Sequence, residues 1–214
     1  MAGFRPRLLY WLGRVAEDEA VVAWAKETTV RYMDQPSSID PSLAGVALRI
    51  TAKQGDQQLF DRYIDHFEAA QSPAERANFL RALGAFDAPV LQQNALGYTL
   101  TGPLRPNEIF DIPGEIFDAR EGGDVVFEWL TVNYEAIAGR MPPLFRPFLA
   151  NFGGGCDSER LEKARIFFAR PEISVEGTEK QMMKTAAGVV DCVNLQAREG
   201  ANVKAYLEGI QAAR

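Results

Sequence analysis

The sequence predicts an all-α fold, a solenoid of paired antiparallel helices. Three observations carry that prediction. Apolar residues recur at three- and four-residue steps along nearly the whole chain, the period of a helix face. No stretch alternates apolar and polar residues in the manner of a strand. An aspartate returns at Asp18, Asp56, Asp87, Asp124 and Asp157, at intervals of 38, 31, 37 and 33 residues. Each aspartate closes a short loop ahead of a helical pattern. A carboxylate there can accept from the free N–H groups of the first turn and suits the positive end of the helix dipole. A period in the thirties is the length of one two-helix unit with its turns. The expectation is one helical-repeat domain over residues 1–214, a HEAT/armadillo-like array of about twelve helices.

The first unit places Phe4, Leu8, Leu12 and Val15, then Val21, Ala25 and Tyr32, on helix stripes. Asp40-Pro41 opens the second unit as an N-cap followed by proline at the first helical position. It continues through Leu43, Ala47 and Ile50, and its partner helix after Asp56 presents Phe60, Tyr63, Ile64 and Phe67. Ser72-Pro73-Ala74-Glu75 reads as a capping box. Phe79, Leu80 and Leu83 follow, then Val90, Leu91 and Ala95 after Asp87. From Leu100 to Gly123 the pattern is broken by Pro103, Pro106, Pro113 and the Gly122-Gly123 pair, leaving one short helix around Glu108 to Ile112 and a loop. Asp124 restarts the pattern with Val126, Leu130, Tyr134 and Ile137, and a short helix carries Leu144 to Phe152. After Gly153-Gly154-Gly155, Asp157 caps a helix through Leu161, Ala164 and Phe168. Thr178-Glu179-Lys180-Gln181 is a second capping-box candidate, opening the longest helix. Gly200 is expected to separate that helix from a last one with Val203, Leu207 and Ile210.

Composition narrows the function classes. A net charge of −6 without a Lys/Arg cluster argues against a nucleic-acid partner, whose phosphates require a basic patch. No apolar run approaches the roughly 18 residues that a membrane span needs. Two cysteines, Cys156 and Cys192, are too few for a disulfide framework, and free thiols fit a reducing compartment. The helical pattern begins within the first few residues, as in a domain excised from a longer chain.

Candidate chemistry is sparse. The single histidine, His66, lies in an ordinary amphipathic helix beside Asp65, and no HExxH zinc helix can be assembled from it. Cys192 sits in an apolar run and reads as a small core residue. Cys156 follows three glycines ahead of a helix start, where a thiolate is favoured and a reactive thiol is conceivable. The triple glycine lacks the Gly-Lys-Ser/Thr ending of a phosphate loop and reads as an interhelical turn. Carboxylate clusters such as Glu17-Asp18-Glu19 suit helix starts rather than acid–base catalysis. Arg105, Arg120, Arg140 and Arg146 gather in the irregular centre. They are the candidate substrate-binding residues, able to meet a peptide carboxylate.

The stretch from Val125 to Tyr134, the segment from Leu161 to Phe168 and the closing run from Thr178 to Leu207 resemble the C-terminal helical domain of aminopeptidase N-type zinc metallopeptidases, the puromycin-sensitive and endoplasmic-reticulum aminopeptidases above all. Ala82-Leu83-Gly84 and the following Asp87 are also similar. The aromatic order departs from the family's, with Phe127 and Trp129 where Trp and Phe are usual, and Tyr134 for the second Trp. The resemblance implies a lid-like role, with the helical domain enclosing the active-site cavity and contacting the peptide. Its implied partners are the catalytic domain of the same polypeptide and the peptide substrate. The family's HExxH helix and GAMEN-type loop have no counterpart here, so no catalytic or metal-binding residue is carried over. No cofactor is expected in this chain, and zinc is expected in the catalytic domain. An apolar docking patch is expected near Phe4, Leu8 and Trp11. The location is expected to be cytoplasmic, or periplasmic if an upstream signal exists. The rival readings are a free-standing helical scaffold that binds a protein partner and a thiol enzyme using Cys156.

Overall fold

The computed structural model describes residues 4–119 and 122–212, and no strand occurs among them. They divide into two compact units, Met1–Gly122 and Gly123–Arg214.

In the first unit, α1 (Phe4–Tyr10) runs into a π-helical turn, Trp11–Val15, followed by α2 (Glu19–Asp34), α3 (Pro41–Ala52), α4 (Gln57–Ala69), α5 (Pro73–Leu83), α6 (Pro89–Thr101) and α7 (Asp111–Phe117). α3 packs against α1, α2 and α5, while α5 also meets α4 and α7. The helices begin where the side chains dictate. Asp18 accepts from the Val21 N–H, Asp40 from Ser42 and Leu43, and Asp56 from Leu59. Ser72 and Glu75 form the reciprocal capping box, with Pro73 at the first helical position. The core is aromatic. Tyr63 meets Phe79 and Phe86 edge-on at 5.7 and 5.8 Å, and its hydroxyl donates to the Leu48 carbonyl at 3.0 Å. That bond satisfies the one polar atom of a ring that is otherwise fully buried.

The second unit holds α8 (Gly122–Gly139, its first residue closing the first unit), a 3-10 stretch Pro143–Gly153, α9 (Ser158–Phe168) and α10 (Thr178–Ala212). Tyr134, Phe167 and Phe168 form an edge-to-face cluster, and the Tyr134 hydroxyl donates to the Ile173 carbonyl at 3.0 Å. α8 is broken at Asn133, whose side-chain amide donates to the Trp129 carbonyl at 2.8 Å. A side chain that takes the carbonyl four residues back competes with the helix ladder there.

Several local expectations are corrected. Asp87 caps nothing; α6 starts after Ala88, and the Asp87 carboxylate instead pairs with Arg14 at 3.0 Å. Asp124 lies inside the first turn of α8 and pairs with Arg160 at 2.7 Å. The short central helix runs from Asp111 to Phe117, later than Glu108 to Ile112; residues 106–110 form turns after Pro106, and Glu108 there enters a buried ion pair with Arg76. The residues from Leu144 to Phe152 form 3-10 turns with Pro147 inside, since proline cannot donate to an α ladder. Thr178 accepts from the Val175 N–H before it rather than from the turn after it. Gly200 does not end a helix: α10 runs through it for 35 residues.

Candidate functional site

Of the four candidate arginines, Arg105 belongs to the first unit and Arg140 and Arg146 to the second. Arg105 is an exposed residue of the first unit whose backbone N–H donates to Glu108 at 2.8 Å. Arg140 and Arg146 are half-buried in the second unit, and the Arg146 Nε is buried without a hydrogen-bond partner. Arg120 lies outside the described residues.

The second unit is organised instead around Arg160, an arginine that sequence reasoning did not single out. Its Nε and Nη2 donate to the Gly154 carbonyl at 3.1 and 3.0 Å, and its Nη1 pairs with Asp124 at 2.7 Å and Asp157 at 3.6 Å. One guanidinium thus joins the start of α8, the glycine loop and the cap of α9. Its planar fork suits this many acceptors better than a lysine would. The glycines make room for it. A Cβ on Gly123 would lie 2.7 Å from the guanidinium carbon, and one on Gly155 2.7 Å from Nη2. Gly155 also has φ +93°, a region that favours glycine. The paired glycines at 122–123 and 153–155 are the signal that could have revealed a buried cation.

The Asp157 carboxyl is held below its usual range, first by the Arg160 backbone N–H; burial opposes this, and the charge of the Arg160 guanidinium and the Glu159 N–H tip the balance downward. Beside this hub runs an open groove of about 630 Å³, lined by Asp124, Phe127, Glu128, Lys163, Phe167 and Arg170 among others. Acidic and basic side chains and two phenylalanines share its lining. Such a lining can hold an extended polar chain by paired hydrogen bonds and ring contacts.

On the first unit, the outer face of α1 and its π turn is apolar and open. Phe4, Leu8, Trp11 and Val15 are 70%, 44%, 52% and 59% exposed. The opposite face is locked down. Arg14 donates to the Ala85 carbonyl at 2.8 Å and to Asp87, the Tyr10 hydroxyl donates to Glu115 at 3.3 Å, and Arg49 both pairs with Glu115 at 3.0 Å and lies over the Tyr10 ring. The helix and its turn, held through Tyr10 and Arg14, thus present a strip of large apolar side chains outward, the mark of a docking surface.

Among the described residues, no three His, Cys, Asp or Glu side chains gather to hold a metal. His66 is stacked on Phe79 at 5.3 Å, and burial, then the charge of Arg62, holds its imidazole below the usual histidine range. The reading of Cys156 and Cys192 as free thiols is overturned: they form a disulfide across 36 residues, with Cα atoms 5.3 Å apart. Spacing in the sequence could not show this, because the bond depends on where α10 lies against the glycine loop. The thiol-enzyme reading falls with it.

The family model described as ERAP1-like C-terminal domain matches residues 1–188. The chain belongs to that family. Its relatives include Aminopeptidase 2 of Candida albicans (strain SC5314 / ATCC MYA-2876), 26% identical over 163 residues, which are 73% of this chain and 18% of that protein. Aminopeptidase 2, mitochondrial, of Saccharomyces cerevisiae (strain ATCC 204508 / S288c) is 23% identical over 178 residues, 81% of this chain and 18% of that protein. The alanine/arginine aminopeptidase of the same yeast is 26% identical over 162 residues, 72% and 18%. This ERAP1-like domain thus aligns with less than a fifth of each of these relatives, and the comparisons do not favour a free-standing scaffold.

Proposed function

We propose that the chain is the non-catalytic C-terminal part of a zinc aminopeptidase, enclosing the cavity in which a peptide is held and touching the peptide beyond its scissile end. The observation that carries this reading is the family match across residues 1–188, with aminopeptidases as the relatives. On this reading the metal and its ligands come from the remainder of the polypeptide. The apolar strip of Phe4, Leu8, Trp11 and Val15 is where that remainder sits. Enclosure by a helical wall excludes water from the reaction and limits which peptides enter.

Arg105, Arg120, Arg140 and Arg146 are the proposed contacts to peptide carboxylates, through charge-assisted bonds. Lys163 and Arg170, on the second-unit groove, join them as candidates. Incubating the chain alone with zinc and an aminoacyl chromophore should give no turnover; hydrolysis that a chelator abolishes would overturn the proposal. In the complete polypeptide, Arg140→Ala should raise KM for long peptides more than KM for the chromophore. An equal effect on both would remove Arg140 from the peptide-contact set.

The disulfide supports an oxidising compartment over the cytoplasm, since a cytosolic thiol pool reduces such bonds. We therefore propose the periplasmic alternative. Cell fractionation with alkylation at the moment of lysis tests it, and recovery of the protein in the cytosolic fraction with both cysteines alkylated would refute it.

A further inference from the structure

α10 is 35 residues long, but only its first half is packed. Ala186 and Val189 are buried with Leu161 of α9, and Met182 and Val193 lie against them. After Val193, every residue through Ile210 except Glu199 is exposed, including Leu195, Val203, Tyr206 and Leu207. The helix also carries Gly188, Gly200 and Gly209, where an added Cβ would meet nothing within 4 Å. No close approach calls for these glycines, and each makes the helix easier to unwind. A helix without tertiary packing is marginal in water. The part of α10 beyond Val193 is therefore weak on its own terms.

Cys192 stands at the last packed turn, one residue before Val193. Its partner, Cys156, is exposed and lies between the triple glycine and the Asp157 cap. That loop has its own anchor in the Arg160 bonds to the Gly154 carbonyl and in the Asp157 cap of α9. The disulfide thus joins the weak helix to a loop that is fixed independently of it, at a place open to solvent.

We propose that the Cys156–Cys192 disulfide is a thiol-sensitive latch on the C-terminal helix. Closed, it holds the root of α10 against the second unit. Opened, it lets α10 unwind from its C-terminus through the turns that carry Val189 and Ala186. The opening step is thiol–disulfide exchange. A thiolate of a small dithiol attacks one Sγ and forms a mixed disulfide, the other cysteine leaves as a thiolate, and the second thiol of the reagent closes its own disulfide. Two electrons and two protons pass to the protein, giving two Cys thiols and one oxidised reagent. The loop keeps its Arg160 anchor, so the change is confined to α10. The latch does not depend on the peptidase reading.

The test is hydrogen exchange of the full chain with and without dithiothreitol, beside iodoacetamide labelling. Without reductant, neither cysteine should label and amides across 186–199 should be protected. With reductant, both should label, exchange across 186–199 should accelerate on the order of 100-fold, and exchange across 161–168 should stay within about twofold. Cys192→Ser should show the reduced pattern without any reductant. Labelling of both cysteines before reduction, unchanged exchange across 186–199 after it, equal acceleration in α9, or an oxidised-like pattern in Cys192→Ser would each overturn the proposal.

Discussion

Replacing Arg76 by methionine should be among the most damaging single substitutions in the first unit. Arg76 is 7% exposed and Glu108 is 4% exposed. The pair is two-pronged, with Nε to Oε1 and Nη2 to Oε2 both at 2.7 Å, and Nη2 also donates to the Pro103 carbonyl at 3.1 Å. The guanidinium lies over the Phe67 ring at 4.2 Å. Arg76→Met keeps most of the apolar packing but leaves a buried carboxylate with only the Arg105 N–H as partner. Removing one member of a buried pair costs about 3–5 kcal/mol, whereas replacing both members by apolar residues is often close to neutral. Arg76→Met should therefore lose about 3–5 kcal/mol, and Arg76→Met/Glu108→Leu should lie within about 1 kcal/mol of the parent. For a chain of this size the single variant should melt roughly 6–20 °C lower. Urea unfolding, read as midpoint and slope, is the assay.

The same pair sets a pH dependence. Burial pushes the Glu108 carboxyl up, but the hydrogen bond from Arg76 and the Arg105 N–H pull it further down, and the net position is below the usual glutamate range. The unfolded chain then binds more protons, so this stability is present above the unfolded glutamate value of about 4.3 and is lost as pH falls through the lower folded value. In Arg76→Met burial acts with little opposition, so the deficit relative to the parent should shrink on acidification. A single-variant cost under about 1 kcal/mol, or a double variant as unstable as the single one, would refute the reasoning.

Arg160→Ala should cost about 3 kcal/mol by leaving the Gly154 carbonyl without its donor, and Arg160→Lys should recover less than half of that because the fork is lost; thermal unfolding of both variants decides it. Gly155→Ala should destabilise by about 1–2 kcal/mol from its positive φ alone, and a change below about 0.5 kcal/mol would show that the loop relaxes. Trp11→Ser should leave the melting temperature of the chain alone within about 2 °C, since the ring is half exposed, while weakening capture by the proposed aminopeptidase catalytic domain in a pull-down. His66→Phe should flatten the stability profile between pH 7 and 5. The depressed imidazole favours folding above the unfolded histidine value and loses that contribution as pH falls, so an unchanged slope would count against it.

The helices and their starts were legible in the sequence because they rest on local chemistry. A carboxylate at Asp18, Asp56 or Asp157 reaches N–H groups two or three residues on, and the Ser72–Glu75 box closes within one turn. The buried stripe of α4 follows from the spacing of Phe60, Tyr63 and Phe67 alone. The exposed strip of Phe4, Leu8 and Trp11 was foreseeable only through the family resemblance, which implies a neighbour packed against the first helix. The same local rules misplaced Asp87 and Asp124. Both stand in cap-like positions, but a guanidinium arriving from 73 and 36 residues away along the chain offers each a stronger partner than a backbone amide.

The sequence by itself determined an all-α chain, the position of most helix starts, the family to which the packing motifs belong, and an acidic balance without a basic patch. Those properties depend on residue type and on neighbours within about one helical turn, which a linear reading contains. Only the tertiary structure decided that Arg160 rather than the foreseen arginines organises the second unit, that Cys156 and Cys192 are joined, and that α10 passes unbroken through Gly200. The first two are contacts between groups 36 residues apart, and their existence depends on how helices pack rather than on what stands beside them.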